Sequence, residues 1–309
     1  MKILITGGAG FIGSHLTRSL LQQDHQLFIL TRHGTDTWRI DDILQKVTIL
    51  PYESLDDLGK IFQHNFDGVI HLATLYKKAD DKGAVRKMIK VNITFPSLLL
   101  QHASSTKCQF FINTGTCFEY KLSEASLTEK STTEGYNLYA ATKLAFEQIL
   151  QYTSSHTSLR TTTLRLFYPY GEKDNKKLIT LLMNAFIHNK PISVSRGEQR
   201  LDYTYILDIV SAYEKAVSFI TSDRYQGHNS VNIGIDKTVS IKEIGKLLEG
   251  ISGKKNIVTF GDSYPEGEIM HMNCDYSKAQ SLLGWQPEYS IEKGLRSIYD
   301  YYKLHPTHL

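Results

Sequence analysis

The start of the chain constrains its fold more than any other part. Residues 2–6 read KILIT, a short apolar run, and lead directly into TGGAGFIG at 6–13. Gly7, Gly10 and Gly13 have the spacing G-x-x-G-x-x-G, and Ile12, Leu16 and Leu20 then recur on the period of one helix face. Strand, glycine turn and helix in that order give each glycine a mechanical task. One makes a tight turn, one lets backbone approach a pyrophosphate, and one lets helix lie close on strand. The helix start then offers free N–H groups and the positive end of its dipole to phosphate. A chain that opens this way is expected to bind a dinucleotide on an α/β layer.

The remainder keeps that rhythm. VTIL (47–50), GVIHLA (68–73), QFFINT (109–114) and TTTLRLF (161–167) read as strands, separated by helix patterns near 55–64, 85–104 and 139–154. Apolar strands alternating with helices predict a doubly wound parallel sheet covered on both faces. After Pro169 the elements shorten: a helix over 177–188, then PISVS (191–195), DYTYI (202–206) and VNIGI (231–235), with helices near 207–221 and 241–252. The tail reads as strand NIVTFG, helix YSKAQSLLG and helix SIEKGLRSIYDYYK. The fold class is thus α/β, with a smaller mixed α/β C-terminal unit. Residues 1–168 plus about 205–235 form the expected dinucleotide-binding domain, and 169–204 plus 236–309 the substrate-binding domain.

Composition removes several alternatives. A net charge of +3 with 22% charged residues makes no case for nucleic acid or an acidic membrane surface, and no run of Lys and Arg occurs. Cys108, Cys117 and Cys274 are widely spaced and show no zinc spacing, so no metal is expected and a reducing compartment suits them. Apolar runs are strand-sized, too short to span a membrane, and KILIT leaves no room for a leader. The expectation is a soluble cytoplasmic protein.

Two further stretches carry chemistry. In a unit of this kind an acid roughly 20 residues beyond the glycines binds the adenosine ribose 2′-hydroxyl. Here Thr31 and Arg32 stand there, with His33 beside them. A carboxylate would repel a 2′-phosphate, whereas a guanidinium attracts one and can donate in pairs. NADP(H) is therefore favoured, with NAD(H) left open. The second stretch is NLYAATK at 137–143, where Tyr139 and Lys143 lie four apart at a predicted helix start and project from one face. A phenol titrates near 10. A neighbouring ammonium, with a cationic nicotinamide ring, is expected to favour phenolate and lower that value. Thr114, Thr116 and Cys117 at the preceding strand end are candidates for a third polar group.

At this point the chain resembles the extended short-chain dehydrogenase/reductase family, in its nucleotide-sugar epimerase/dehydratase branch. The likeness runs nearly end to end, through TGGAGFIG, HLAT (71–74), VN (91–92), the strand end TGTCF (114–118), YAATK (139–143), LRLFYPYG (164–171), GEQRLDYTYILDI (197–209) and LLGWQPEYSIEKGL (282–295). It is nearest in character to reductases of nucleotide-linked 4-keto-6-deoxyhexoses. The resemblance implies a Rossmann sheet and places the catalytic tyrosine and lysine on Tyr139 and Lys143. The catalytic hydroxyl falls on Thr116, with Thr114 second. Cofactor contacts are implied at Gly7, Gly10, Phe11, Ile12, Gly13, Thr31, Arg32, Leu72, Ala73, Thr74, Asn92, Thr114, Tyr139, Lys143, Phe167 and Pro169. For a nucleotide-diphosphate sugar it implies Tyr76, Cys117, Tyr168, Lys177, Arg196, Arg200 and Tyr203, with Tyr120 a further pocket candidate. It also implies a homodimer through the helices near 85–104 and 139–154.

The departures are as informative. Dehydratases of this branch carry an Asp-Glu pair after the catalytic threonine; here Cys117 and Phe118 follow Thr116, and Glu119 comes too late. Cys117 resembles the cysteine of fucose-type epimerase-reductases, but GEKDNKK (171–177) lacks their histidine, which disfavours 3,5-epimerisation. The diphosphate-binding arginines are replaced by Leu201 and by Pro265-Glu266, leaving Lys176, Lys177, Arg196 and Arg200 as substitutes. The adenine-contacting Asp after the third strand is replaced near Pro51-Tyr52. The reading is NADPH-dependent reduction of a nucleotide-linked 4-keto-6-deoxy sugar at C4. A 4-epimerase that keeps and recycles its cofactor is the alternative, and a non-catalytic dinucleotide sensor on the same fold is a third. On the catalytic readings a Tyr139→Phe variant binds dinucleotide but loses turnover by two orders of magnitude or more, roughly the contribution of a positioned proton donor. Unchanged turnover in a steady-state assay removes Tyr139 from that role.

Overall fold

A computed structural model of the protein describes residues 1–77, 81–174 and 177–308. The chain opens with strands β1 (Lys2–Thr6), β2 (Gln26–Arg32), β3 (Thr48–Tyr52), β4 (Gly68–His71), β5 (Phe110–Thr116) and β6 (Arg160–Leu166). Strands β7 (Ile192–Val194) and β8 (Arg200–Asp202) leave this layer, and β9 (Asn229–Ile233) returns to it. Among the described residues these form a seven-stranded sheet in the order β3-β2-β1-β4-β5-β6-β9, parallel at every pairing. Three further strands, β10 (Thr238–Ser240), β11 (Val258–Phe260) and β12 (His271–Met272), complete two small sheets. One has the order β10-β8-β12 with mixed directions, and the other pairs β11 with β7.

Helices α1 (Phe11–Leu21), α2 (Leu58–Ile61), α3 (Lys82–Ile89), α4 (Phe95–Ser104) and α5 (Leu138–His156) belong to the first half. Helices α6 (Leu178–His188), α7 (Ile206–Ile220), α8 (Ile241–Ser252) and α9 (Ile291–Leu304) follow. Side chains of the large sheet alternate between two cores, as strand geometry requires. Ile3 and Ile5 of β1 face α1 and α7, with Leu16, Leu20, Ile209 and Tyr213. Leu4 between them faces α4 and α5, with Leu99, Leu100, Phe146 and Leu150. A third core gathers α6, α8 and α9 around Leu182, Phe186, Ile244, Leu248 and Ile298.

Three local expectations differ from what forms. The helix expected near 55–64 is three short turns, Leu55–Asp57, α2 and Phe62–His64, ending where Asn65 turns left-handed at φ 55°. The helix expected near 85–104 is interrupted by a π-segment, Lys90–Thr94. Pro96 lacks the N–H that would continue the ladder, and the bulge turns Asn92 into the interior. The strand expected at 202–206 ends at Asp202. Thr204 and Ile206 bond instead to the 168–170 segment, through Thr204 N to Tyr168 O at 3.3 Å and Ile206 N to Tyr170 O at 2.8 Å. A loop from the large sheet and a loop from the small one are thereby tied together along the cleft.

Candidate active site

Strand order reverses at β1, whose neighbours β2 and β4 continue in opposite directions, and a crevice opens at the C-terminal ends of β1 and β4. Thr6 and His71 close its floor, with Thr6 Oγ1 2.7 Å from His71 Nδ1 and accepting from Ala73 N–H at 3.2 Å. Burial drives His71 well below its usual value, with the Lys143 charge adding to the effect, so the ring is neutral. The glycine turn rises from Thr6. A Cβ on Gly13 would lie 2.1 Å from the Gly7 carbonyl, so only glycine lets α1 start this close to β1. Gly10 caps α1 without a side chain, which leaves the first-turn N–H groups facing the crevice. Phe11 is buried and Ile12 half-buried on the same turn, and Leu72 and Ala73 line the opposite lip. This cradle fits a dinucleotide pyrophosphate held by backbone.

At the far end, Thr31 is buried and Arg32 is exposed at the last position of β2, in register with Tyr52 of β3. The Arg32 side chain makes no ion pair among the described residues. A shallow pocket of about 290 Å³ lined by His33, Pro51, Glu53, Asp57 and Lys60 opens beside it. Tyr52 stacks on Phe95 at 5.4 Å, where the resemblance led us to look for an aspartate.

Asn137 sets the position of the tyrosine. Its side chain accepts from Ala140 N–H at 2.9 Å, which starts α5 one residue before Tyr139 and puts Tyr139 and Lys143 on successive turns of one face. The Tyr139 ring meets Tyr76 edge-on at 5.1 Å, and its phenol hydrogen-bonds Thr74. Asn92, turned inward by the π-segment, accepts from Thr74 Oγ1 at 3.2 Å and donates to Thr142 Oγ1 at 3.0 Å. Thr74 and Asn92 therefore sit beside the tyrosine. The protein groups around the phenol raise it, whereas the expected lowering counted on a cationic nicotinamide ring as well as Lys143. Burial raises Tyr139 above its ordinary value, and Glu119, Cys117 and Tyr76 push the same way. The phenol holds its proton at neutral pH.

Thr116 ends β5 buried and caps the short turn Cys117–Glu119, its hydroxyl accepting from Phe118 N–H at 3.3 Å. Thr114 lies two residues back with its hydroxyl committed to His71 O at 2.8 Å and to Tyr213 OH at 2.6 Å. Cys117 is buried, and its thiol is pushed up to about 12 by that burial, so it stays a thiol. A protonated cysteine is a poor general base.

Lys143 is buried behind Tyr139 with Glu119, Glu147 and Arg165. Arg165 Nε donates to Glu119 Oε2 at 2.8 Å, Nη2 to Glu147 Oε1 at 2.8 Å and Nη1 to Tyr120 OH at 2.9 Å. Ser230 Oγ also donates to Glu147 Oε1. Burial works against the Arg165 charge, yet Glu119 and Glu147 outweigh it and raise the guanidinium above its ordinary value. Glu119 is pushed up to about 8 by burial and by the charge of Glu147, and Lys143 is brought down to about 8 by burial. Glu119, set aside from the sequence as too late in the chain, is thus in the site. Thr116 to Glu119 reads T-x-x-E, the pattern of a capping box, and that signal pointed to it. Arg165 within an otherwise apolar strand was the matching signal, because a buried cation requires a partner.

The residues expected around a sugar nucleotide divide into two groups. Tyr76 and Tyr168 line the cleft, whereas Tyr203 is buried: Tyr168 packs on Phe118 at 5.5 Å and on Tyr203 at 5.6 Å, and Tyr136 reaches across to the Gly267 carbonyl. Pro169 follows Tyr168 at the rim, whereas Phe167 is fully buried, which leaves only its backbone for any cofactor contact. Tyr120 is likewise no pocket residue, being fully buried with its hydroxyl donating to Asn232 Oδ1 at 2.6 Å. The cations are engaged elsewhere. Arg196 pairs with Glu198 at 2.9 Å and Arg200 with Glu243 at 3.1 Å. Lys177 lies 3.7 Å from Asp174 and above the Phe11 ring, and Lys176 falls outside the described residues.

Comparison with known proteins agrees with this geometry. Residues 3–234 match the NAD dependent epimerase/dehydratase family. CDP-abequose synthase of Salmonella muenchen is 29% identical over 303 residues, covering 96% of each chain. The dTDP-4-dehydro-6-deoxyglucose reductase of Escherichia coli is 27% identical over 318 residues, again covering 96% of each. UDP-glucuronic acid 4-epimerase from Bacillus cereus, solved in complex with UDP-glucuronic acid and NAD, superposes with a TM-score of 0.87 at 28% identity, covering 99% of this chain and 100% of that one.

Removing the guanidinium leaves two buried carboxylates without their shared partner. Arg165→Ala is expected to cost about 3–5 kcal/mol in denaturant unfolding, the range for breaking a buried ion pair from one side. A loss below about 1 kcal/mol contradicts the network as described.

Proposed function

The chain belongs to the NAD-dependent epimerase/dehydratase family, an extended short-chain dehydrogenase/reductase that modifies nucleotide sugars, and on that footing we propose that it reduces a nucleotide-linked 4-keto-6-deoxy sugar at C4 with NADPH. The observation that carries the reading is the protonated phenol of Tyr139. A ketone reductase must deliver a proton to the oxygen it reduces, and burial keeps that proton in place.

The glycine cradle of Gly7, Gly10 and Gly13, with Phe11 and Ile12, holds the dinucleotide pyrophosphate; Leu72, Ala73, Thr74, Asn92, Thr114, Phe167 and Pro169 border the nicotinamide half. Thr31 and Arg32 receive the 2′-phosphate. The dinucleotide, when bound, supplies hydride to C4. Tyr139 donates its proton to the developing alkoxide, and Thr116 hydrogen-bonds the same oxygen. Lys143 holds the ribose hydroxyls and lends positive charge to Tyr139 as the proton leaves. Tyr76, Cys117, Tyr168 and Tyr203 orient the sugar, while Lys177, Arg196 and Arg200 attend the diphosphate, the last two after release from Glu198 and Glu243. Holding the reacting atoms at contact distance is worth roughly 7–11 kcal/mol, and proton transfer typically adds about 10²–10⁴-fold. Residues 1–168 with about 205–235 serve as the dinucleotide domain, 169–204 with 236–309 as the substrate domain, and two copies associate through α3–α4 and α5.

The rival, a 4-epimerase, draws on the likeness to the Bacillus cereus enzyme and its NAD. Stoichiometry separates the two. The proposal predicts one NADPH consumed per product with CDP- or dTDP-linked 4-keto sugars, read at 340 nm as in any nicotinamide assay. A nucleotide that stays bound and turns over without net oxidation establishes the epimerase instead. Arg32→Ala is expected to raise KM for NADPH about tenfold or more while leaving that for NADH nearly unchanged, the size of one lost charge-assisted phosphate contact. Equal effects on both nucleotides reject Arg32 as the phosphate reader.

A further inference from the structure

Four ionisable side chains, Glu119, Lys143, Glu147 and Arg165, share one buried space behind Tyr139, and the mechanism above uses only Lys143. We propose that Glu119 is a positioning residue for the reaction, which anchors the backbone of Thr116 and, once ionised, supplies negative charge that keeps the buried Lys143 an ammonium. The proposal rests on the reductase reading for its consequence, but not for its geometry.

The anchoring is direct, because Glu119 Oε1 accepts from the Thr116 N–H at 2.8 Å while Oε2 is held by Arg165 Nε at 2.8 Å. One carboxyl group thus spans the ends of β5 and β6. The space for it comes from Gly115, where a Cβ would lie 3.0 Å from Glu119 Oε1 and 2.9 Å from Arg165 Cγ. The charge argument is a count. Arg165 bridges Glu119 and Glu147 at 2.8 Å each, so one guanidinium meets two carboxyl groups, and the second negative charge available to this space balances Lys143, on which Glu119 acts more strongly than Glu147. A buried ammonium with no such partner loses its proton. Other groups facing this space do not replace Glu119. His71 from β4 is neutral, and Tyr139, Tyr120 and Cys117 keep their protons. Glu129, His228 and Lys278 act on Tyr120, Glu147 and Arg165 from the outer side.

Glu119 and Lys143 both come to about 8, one from below and one from above, so they titrate as a pair. As pH rises, ionisation of Glu119 favours retention of the remaining proton on Lys143, which keeps the ammonium into more alkaline solution. Glu119→Gln retains an oxygen for the Thr116 N–H and loses the charge, so the ammonium is lost earlier.

The test is a titration of the whole protein by NMR, following the Lys143 Nζ and Glu119 Cδ resonances. In the wild type both nuclei are expected to report a shared step; a Lys143 curve with no response at Glu119 overturns the proposal. In Glu119→Gln the Lys143 midpoint is expected to move to lower pH by about one unit or more, the effect of removing an opposite charge at close range. The alkaline limb of kcat moves with it. An unmoved midpoint in the folded variant also overturns the proposal. Should the variant not fold, the wild-type titration decides alone. Absence of NADPH turnover with keto sugars defeats the reductase reading and leaves both titrations standing.

Discussion

The rest of the site depends on one guanidinium buried in a parallel sheet. Arg165 points from near the C-terminal end of β6 into the space between β5 and α5, where water cannot serve it, and three acceptors must reach it at once. Glu119 comes from the turn after β5, Tyr120 from the next residue and Glu147 from the helical turn after Lys143. Because the acceptors come from two separate pieces of chain, the turn after β5 and helix α5, satisfying the cation fixes how those pieces approach β6. Thr116, Tyr139 and Lys143 sit on the same pieces of chain, so their mutual geometry follows from a charge that none of them carries. A buried ionic cluster is a weak source of stability, since desolvation offsets most of the attraction, but it penalises any arrangement that leaves a member unpaired.

The same low-polarity setting explains the state of each titrating group. Tyr139 keeps its proton, Lys143 approaches neutrality, Cys117 remains a thiol and His71 is uncharged, all chiefly through burial. A tyrosine that keeps its proton and a lysine near the working pH are what the proposed reduction calls for. The relatives include both a 4-keto-sugar reductase and a 4-epimerase at nearly equal identity, which is reasonable for a site whose parts serve either outcome. The difference between them lies in whether the dinucleotide leaves, and the exposed Arg32 is where this chain departs from an NAD-type carboxylate.

Much of the fold was legible in order. Strand-sized apolar runs alternating with helical periods gave the parallel layer, and the glycine turn located its crevice, because both signals are local. The errors were local too, and had tertiary causes. Pro96 and the inward turn of Asn92 interrupted one expected helix. Pairing of Thr204 and Ile206 with the 168–170 loop ended one expected strand early. Tyr120 was expected in the pocket, but its hydroxyl is taken by Arg165 and Asn232.

The sequence by itself determined the doubly wound layer, the phosphate-binding turn, the Tyr139–Lys143 spacing and the missing acid at Arg32, since each is written in neighbouring residues. Only the tertiary structure decided which charges meet. Glu119 and Arg165 are separated by 46 positions and Glu119 and Glu147 by 28, yet they share one dry volume, and the energy of a charge there is set by what lies across space. Whether a phenol is acid or base, and whether a lysine is charged, therefore had no answer until the sheet and the helix were brought together.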